Sequence, residues 1–106
     1  MQLKITARGY KAPDSLKKYI YDKLNRKEKL YHGVMDTDVI LSYEKKTQIA
    51  EFKVTLSDKT IIVIERSEDI YKSIELAIDN IERQIKRFKE RRREHGNKKM
   101  ADSIVL

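Results

Sequence analysis

Leu3, Ile5 and Ala7 alternate with Lys4, Thr6 and Arg8, the period of two that a half-buried strand requires. Gly9 ends the alternation. Pro13 suits the first turn of a helix, where its missing N–H would be unpaired anyway, and Asp14 puts a negative charge near the positive end of the helix dipole. Leu16, Tyr19, Ile20, Leu24 and Tyr31 recur at helical spacing, so a first helix is predicted from about Pro13 to about Leu30. Lys17, Lys18, Lys23, Arg26 and Lys27 fall outside its apolar stripe, and His32-Gly33 ends it, since glycine takes the left-handed conformation of a helix terminus.

Three strand-like runs follow. Val39, Leu41 and Tyr43 share one face of the first, and Phe52, Val54 and Leu56 one face of the second. The third, Ile61 to Ile64, is apolar throughout, which fits either a mid-sheet strand or an open register. The polar connectors Lys45-Lys46-Thr47-Gln48 and Ser57-Asp58-Lys59-Thr60 are of hairpin length and imply an antiparallel meander. Ser67 is a candidate N-cap, with Glu68 and Asp69 as first-turn acids. Ile70, Ile74, Ala77, Ile78, Ile81, Ile85 and Phe88 then step by three and four along a second, long amphipathic helix. From Gly96 the pattern is lost. The expected organisation is an α+β domain over residues 1–95, in the order β-α-β-β-β-α, with a flexible tail over 96–106. The two helices should pack on one face of a four-stranded mixed sheet.

Composition narrows the function classes. A chain of 106 residues makes one domain. It has no cysteine, which excludes disulfides and thiolate metal sites and fits a reducing, cytoplasmic setting. Its longest apolar run is far below the roughly 18 residues of a bilayer span, and its alternating start predicts no secretory leader. Enzyme signals are poor. His32 and His95 both sit beside a glycine at an expected helix end, Gly9, Gly33 and Gly96 cannot form a phosphate-cradling loop, and no metal-ligand spacing is present. No catalytic residue, cofactor, metal or small-molecule substrate is expected.

The charge is where the sequence speaks. The formal net charge is +7, and residues 83–99 alone carry a surplus of that size, with nine bases against two acids. Arg83, Arg87 and Arg91 are spaced i, i+4, i+8 on one helix ridge, with Lys86, Lys89, Arg92 and Arg93 around it. One or two such cations would satisfy the helix dipole; seven exceed that need and mark a footprint for a polyanion. A membrane-surface helix needs a free apolar face, whereas this one has a sheet to bury it against, so nucleic acid is favoured over a bilayer. Arginine adds a fork that matches phosphate oxygens. Lys17, Lys23, Arg26 and Lys27 give the first helix a second basic face, and two basic helices suit structured RNA read through backbone and shape. Tyr10, Tyr21 and Tyr71 are expected in the core or at sheet edges in preference to stacking on bases.

The start Met1-Gln2-Leu3-Lys4-Ile5-Thr6, the run Glu68-Asp69-Ile70-Tyr71-Lys72-Ser73-Ile74 and the run Ile78-Asp79-Asn80-Ile81-Glu82-Arg83-Gln84-Ile85-Lys86-Arg87 resemble the ribosome hibernation promoting factor family. That family includes the ribosome-associated inhibitor and is often described as sigma-54 modulation proteins; the likeness is to its short form and covers about residues 1–94. The resemblance implies a fold like that of double-stranded-RNA-binding domains. It implies a protein, monomeric off the ribosome, that binds the decoding channel of the small ribosomal subunit and the 70S ribosome. Its cations would contact 16S rRNA phosphates and block messenger and transfer RNA reversibly. The matching rRNA-binding positions are Lys23, Arg26, Lys45, Arg83, Arg87, Lys89 and Arg91, to which the basic ridge adds Lys86, Arg92 and Arg93. Pro13 replaces the family's usual capping threonine, and Asn80 stands where a lysine is common. The competing reading is a general double-stranded RNA or DNA binder acting off the ribosome.

Overall fold

The computed structural model describes residues 1–91 in full and, beyond them, only the extent of the last helix. The elements are β1 (Gln2–Ala7), α1 (Asp14–Asn25), β2 (Asp36–Glu44), β3 (Thr47–Thr55), β4 (Thr60–Ser67) and α2 (Ile70–Val105). The extent of α2 runs through the stretch expected to be a tail, 96–106, as far as Val105, so the expected boundary after residue 95 falls within the helix.

The four strands lie in the order β1-β2-β3-β4. β1 runs parallel to β2, with Gln2 opposite Asp36 and Ala7 opposite Leu41. β2, β3 and β4 form the antiparallel meander. The sheet is therefore mixed, as a helical crossover between β1 and β2 demands, because parallel neighbours cannot be joined by a tight turn. Alternation sends Val39, Leu41, Ala50, Phe52, Val54, Ile61 and Val63 to one face, where both helices cover them. Leu16, Ile20 and Leu24 of α1 and Ile74, Ala77, Ile78, Ile81 and Ile85 of α2 complete this core. Burying each large apolar side chain contributes about 1.5 to 3 kcal/mol.

Three local expectations need correction. α1 stops at Asn25, short of Leu30, and the chain continues in turns held by Leu30 N–H and Tyr31 N–H donating to the Lys27 carbonyl at 3.0 and 3.2 Å. Arg26 to Lys29 are all exposed, so no core contact holds a further regular turn; Tyr31 is buried at helical spacing without being helical. Gly33, at φ +93, takes the left-handed conformation at the end of these turns.

The cap of α2 is Asp69, whose Oδ1 accepts the Tyr71 N–H at 2.9 Å. Ser67 ends β4 instead, with its Oγ 2.6 Å from Ser73 Oγ. Ser73 in turn donates to the Gln48 carbonyl at 2.8 Å and ties the first turn of α2 to β3. Finally, β4 is an edge strand, which resolves the ambiguity of its apolar run. Ile61 and Val63 are buried, whereas Ile62 and Ile64 stand on the uncovered face of the sheet.

The strands also reach further than the connectors suggested. β3 begins at Thr47, leaving Lys45-Lys46 as a two-residue turn with Lys45 at φ 57. At the other tight site, Gly9 has φ +84, and a Cβ there would lie 3.3 Å from the Tyr43 ring.

Candidate nucleic-acid interface

α2 presents two different stripes beyond its buried face. Glu75, Asp79, Glu82, Lys86 and Lys89 step by four, three, four and three, so they share one flank. Contacts show that this flank meets α1 and the turns after it. Glu75 Oε1 accepts the Tyr19 hydroxyl at 2.6 Å. Glu82 accepts Lys27 Nζ at 2.8 Å and the Tyr31 hydroxyl at 3.2 Å. Lys89 Nζ donates to the carbonyls of Lys29 and Leu30 at 3.0 and 2.5 Å. The stripe thus changes sign along its length, and both signs are used to hold α1 and its following turns against α2.

The titrating groups record this arrangement. Burial, then the hydrogen bond and charge of Glu75, push the Tyr19 hydroxyl up to about 12, with Arg26 pulling the other way. Tyr31 is pushed further up, first by burial and then by Glu82. Lys27 is raised chiefly by its hydrogen bond to Glu82 and then by that carboxylate's charge.

Between the helices runs a groove in two connected parts. One, of about 250 Å³, is lined by Lys23, Arg26, Lys27, Glu75, Ile78, Asp79 and Glu82. The other, of about 420 Å³, is lined by Lys27, Leu30, Asp79, Glu82, Arg83 and Lys86. Of its acids, Glu75 and Glu82 are engaged across the helices and Asp79 is exposed, while the other charged lining residues are cations. Lys23 Nζ lies 5.6 Å over the Tyr19 ring, which meets the edge of Tyr71 at 5.0 Å. That contact orients Lys23 at the rim.

The structure brings most of the expected cations together, but not on equal terms. Arg26, Arg83, Lys86, Arg87 and Arg91 are exposed and, among the described residues, have no hydrogen bond or ion pair. Lys89 is half-buried and committed to the Lys29 and Leu30 carbonyls, so it braces the interface more than it extends it. Arg83, Arg87 and Arg91 drift by about 40° at each four-residue step, so the ridge winds from the groove rim toward the flank away from α1.

Lys45 stands apart. Its turn lies at the end of the sheet where Gln48 meets Ser73, and ten residues of helix, about 15 Å, separate Ser73 from Arg83. Arg92 and Arg93 lie outside the described residues. Tyr10 and Tyr43 pack together with ring centroids 5.8 Å apart, while Tyr21 and Tyr71 are exposed.

Sequence reasoning gave Glu75, Asp79 and Glu82 no role and placed Tyr19 and Tyr31 only in the apolar stripe of the first helix, without the hydroxyl contacts to Glu75 and Glu82. The four-three spacing that carries the carboxylates on into Lys86 and Lys89 was the available signal. Among the described residues, no group of three or more His, Asp or Glu is placed to hold a metal ion, and no helix is long and apolar enough to cross a membrane.

Comparison with known proteins adds a relationship to this geometry. Residues 3–93 match the family profile described as Sigma 54 modulation protein / S30EA ribosomal protein. The chain is 30% identical over 107 residues to the ribosome hibernation promoting factor of Azotobacter vinelandii, with 99% of each chain covered. It is 24% identical to the factor of that name from Escherichia coli K12, over 90% of this chain and 100% of the other. Among solved structures, a ribosomal subunit interface protein from Coxiella burnetii superposes with a TM-score of 0.80 at 24% identity, covering 85% of this chain and 99% of that one. The N-terminal domain of Thermus thermophilus Protein Y does so with 0.74 at 32% identity, over 83% and 99%.

Proposed function

The chain belongs to the Sigma 54 modulation protein / S30EA ribosomal protein family, and from that premise we propose that it is a ribosome hibernation factor acting by binding, without catalysis. The relatives named ribosome hibernation promoting factor support the ribosome as its partner and the cytoplasm as its place of action. The observation that carries the finer reading is a set of exposed cations, unpaired among the described residues: Arg26, Arg83 and Lys86 at the rim of the two-helix groove, and Arg87 and Arg91 continuing from it along the outer side of α2. Such an array suits RNA phosphates, and Lys23 joins it at the rim. In this reading the helix layer sits on 16S rRNA in the decoding channel of the small subunit. Bulk then does the work, since messenger and transfer RNA cannot occupy the same space.

The acids of the groove floor fit this role. Glu75 and Glu82 are engaged with Tyr19, Lys27 and Tyr31, so they fix the helices in place. Lys27 is spent on Glu82, whereas Arg26, Arg83 and Lys86, unpaired among the described residues, are left to meet phosphate. Arg92 and Arg93 extend the proposed surface in sequence, and Lys45 would contact RNA only as a separate point.

Co-sedimentation with purified small subunits at physiological salt tests the proposal. The expected result is saturable binding that messenger and transfer RNA compete away and that free duplex RNA does not. Absence from the subunit pellet would overturn it, and duplex RNA bound as tightly as the subunit would replace it with a general duplex-binding role.

A further inference from the structure

The flank of α1 turned away from α2 borders a larger cleft, of about 780 Å³. Leu3 and Ile5 of β1, Leu24 of α1, the buried Tyr31 and Val34 form its apolar floor, and the exposed Tyr21 stands beside it. It opens along β1, a sheet edge.

The backbone of that edge is unspent. Gln2 N–H donates to the Met35 carbonyl and Arg8 N–H to the Leu41 carbonyl, so the even-numbered residues of β1 face β2 in the parallel ladder. Leu3, Ile5 and Ala7 therefore turn their N–H and C=O groups outward, and no described residue meets them. The same residues turn their side chains toward the helix layer, and Leu3 and Ile5 reach the cleft.

Charge selects the occupant. Lys17 and Lys18 form one rim of the cleft, and Lys4 and Arg8 stand on the opposite face of β1, all exposed. Glu28 is the one carboxylate in the cleft lining. Because α1 returns the chain from the end of β1 toward the start of β2, Lys17 and Lys18 lie toward the Ala7 end of the edge. We propose that the β1 edge and this cleft dock an extended segment of a protein partner, apolar at alternate positions and acidic at the end beside Lys17 and Lys18. The segment adds a strand to the sheet: its backbone pairs with Leu3, Ile5 and Ala7, and its apolar side chains enter the cleft. The surface is separate from the two-helix groove, so both can be occupied together.

The test uses the full chain, nitrogen-labelled, with the synthetic peptide Glu-Glu-Val-Thr-Val-Thr-Val-Ser as probe. Strand addition slows amide exchange at Leu3, Ile5 and Ala7 by at least about tenfold and leaves Arg83 and Lys86 unmoved. Changing Lys17→Glu and Lys18→Glu together, at exposed positions that leave the fold intact by circular dichroism, weakens binding about tenfold. The proposal is overturned by any of four results: no saturable binding, protection absent from the three edge amides, equal binding of a peptide beginning Lys-Lys, or duplex RNA displacing the peptide from the edge.

Discussion

Replacing Arg83, Arg87 and Arg91 together by alanine removes three exposed guanidinium groups that make no hydrogen bond or ion pair among the described residues. Each phosphate contact contributes roughly 0.7 to 0.9 to the slope of log affinity against log salt, so the slope should fall by about 2 to 3. For a fourfold rise in salt, the intact protein should then lose roughly 20- to 40-fold more affinity than the variant. Stability should hardly move, because exposed substitutions on a helix usually stay within about 0.5 kcal/mol each and alanine is the better helix former. The assay is co-sedimentation with small subunits across a potassium chloride series. Its control removes the same formal charge elsewhere, with Lys4, Lys53 and Arg66 on the uncovered sheet face changed to alanine. That variant should keep the original slope. An unchanged slope in the ridge variant, or equal flattening in the control, would show that total charge and not its placement drives binding.

Glu82→Ala leaves the buried Tyr31 hydroxyl without its acceptor and Lys27 without its ion pair, so the denaturant midpoint should drop by the equivalent of about 1 to 3 kcal/mol. The domain should also be sensitive to alkali. Tyr19 is raised from 10.0 to about 12, so the fold favours its neutral form; that stability is intact below pH 10 and is lost as pH rises through about 12. Thermal midpoints measured over this window should fall less steeply for Tyr19→Phe. Gly9→Ala must place a side chain at φ +84, 3.3 Å from the Tyr43 ring, and should cost about 1 to 2 kcal/mol in chemical denaturation.

The elements were legible because burial imposes a period on the sequence. Phe52 and Val54 alternate, and Ile74, Ile78, Ile81 and Ile85 step by three and four, and all are buried. The end of α1 was not legible for the same reason. Tyr31 is buried at a helical interval, and a series of turns can deliver a side chain to the core as well as a helix can. The capping role passed from Ser67 to Asp69 because β4 extends to Ser67, a matter of strand pairing with Gln48.

At the interface, the type and rough position of the cations could be read from the chain. Their availability could not. Lys27 meets Glu82 and Lys89 meets the Lys29 and Leu30 carbonyls across more than fifty residues of sequence, while Arg26 and Lys86 nearby have no hydrogen bond or ion pair among the described residues. Whether a cation is spent inside the fold is settled by tertiary pairing, which no local pattern encodes.

The parallel pairing of β1 also sets a timetable. The turns between β2, β3 and β4 join partners such as Glu44 and Thr47, close neighbours in the chain, whereas Gln2 must wait for Asp36. Closing that long loop costs entropy before any contact repays it, so the meander with α2 should assemble first and β1 should dock last. Pulse-labelled exchange during refolding should find Phe52 and Val54 amides protected before that of Lys4. In a cell the order of synthesis is the reverse. β1 emerges before its partner β2 yet is placed after the meander, and its alternating lysine, threonine and arginine keep it soluble while it waits.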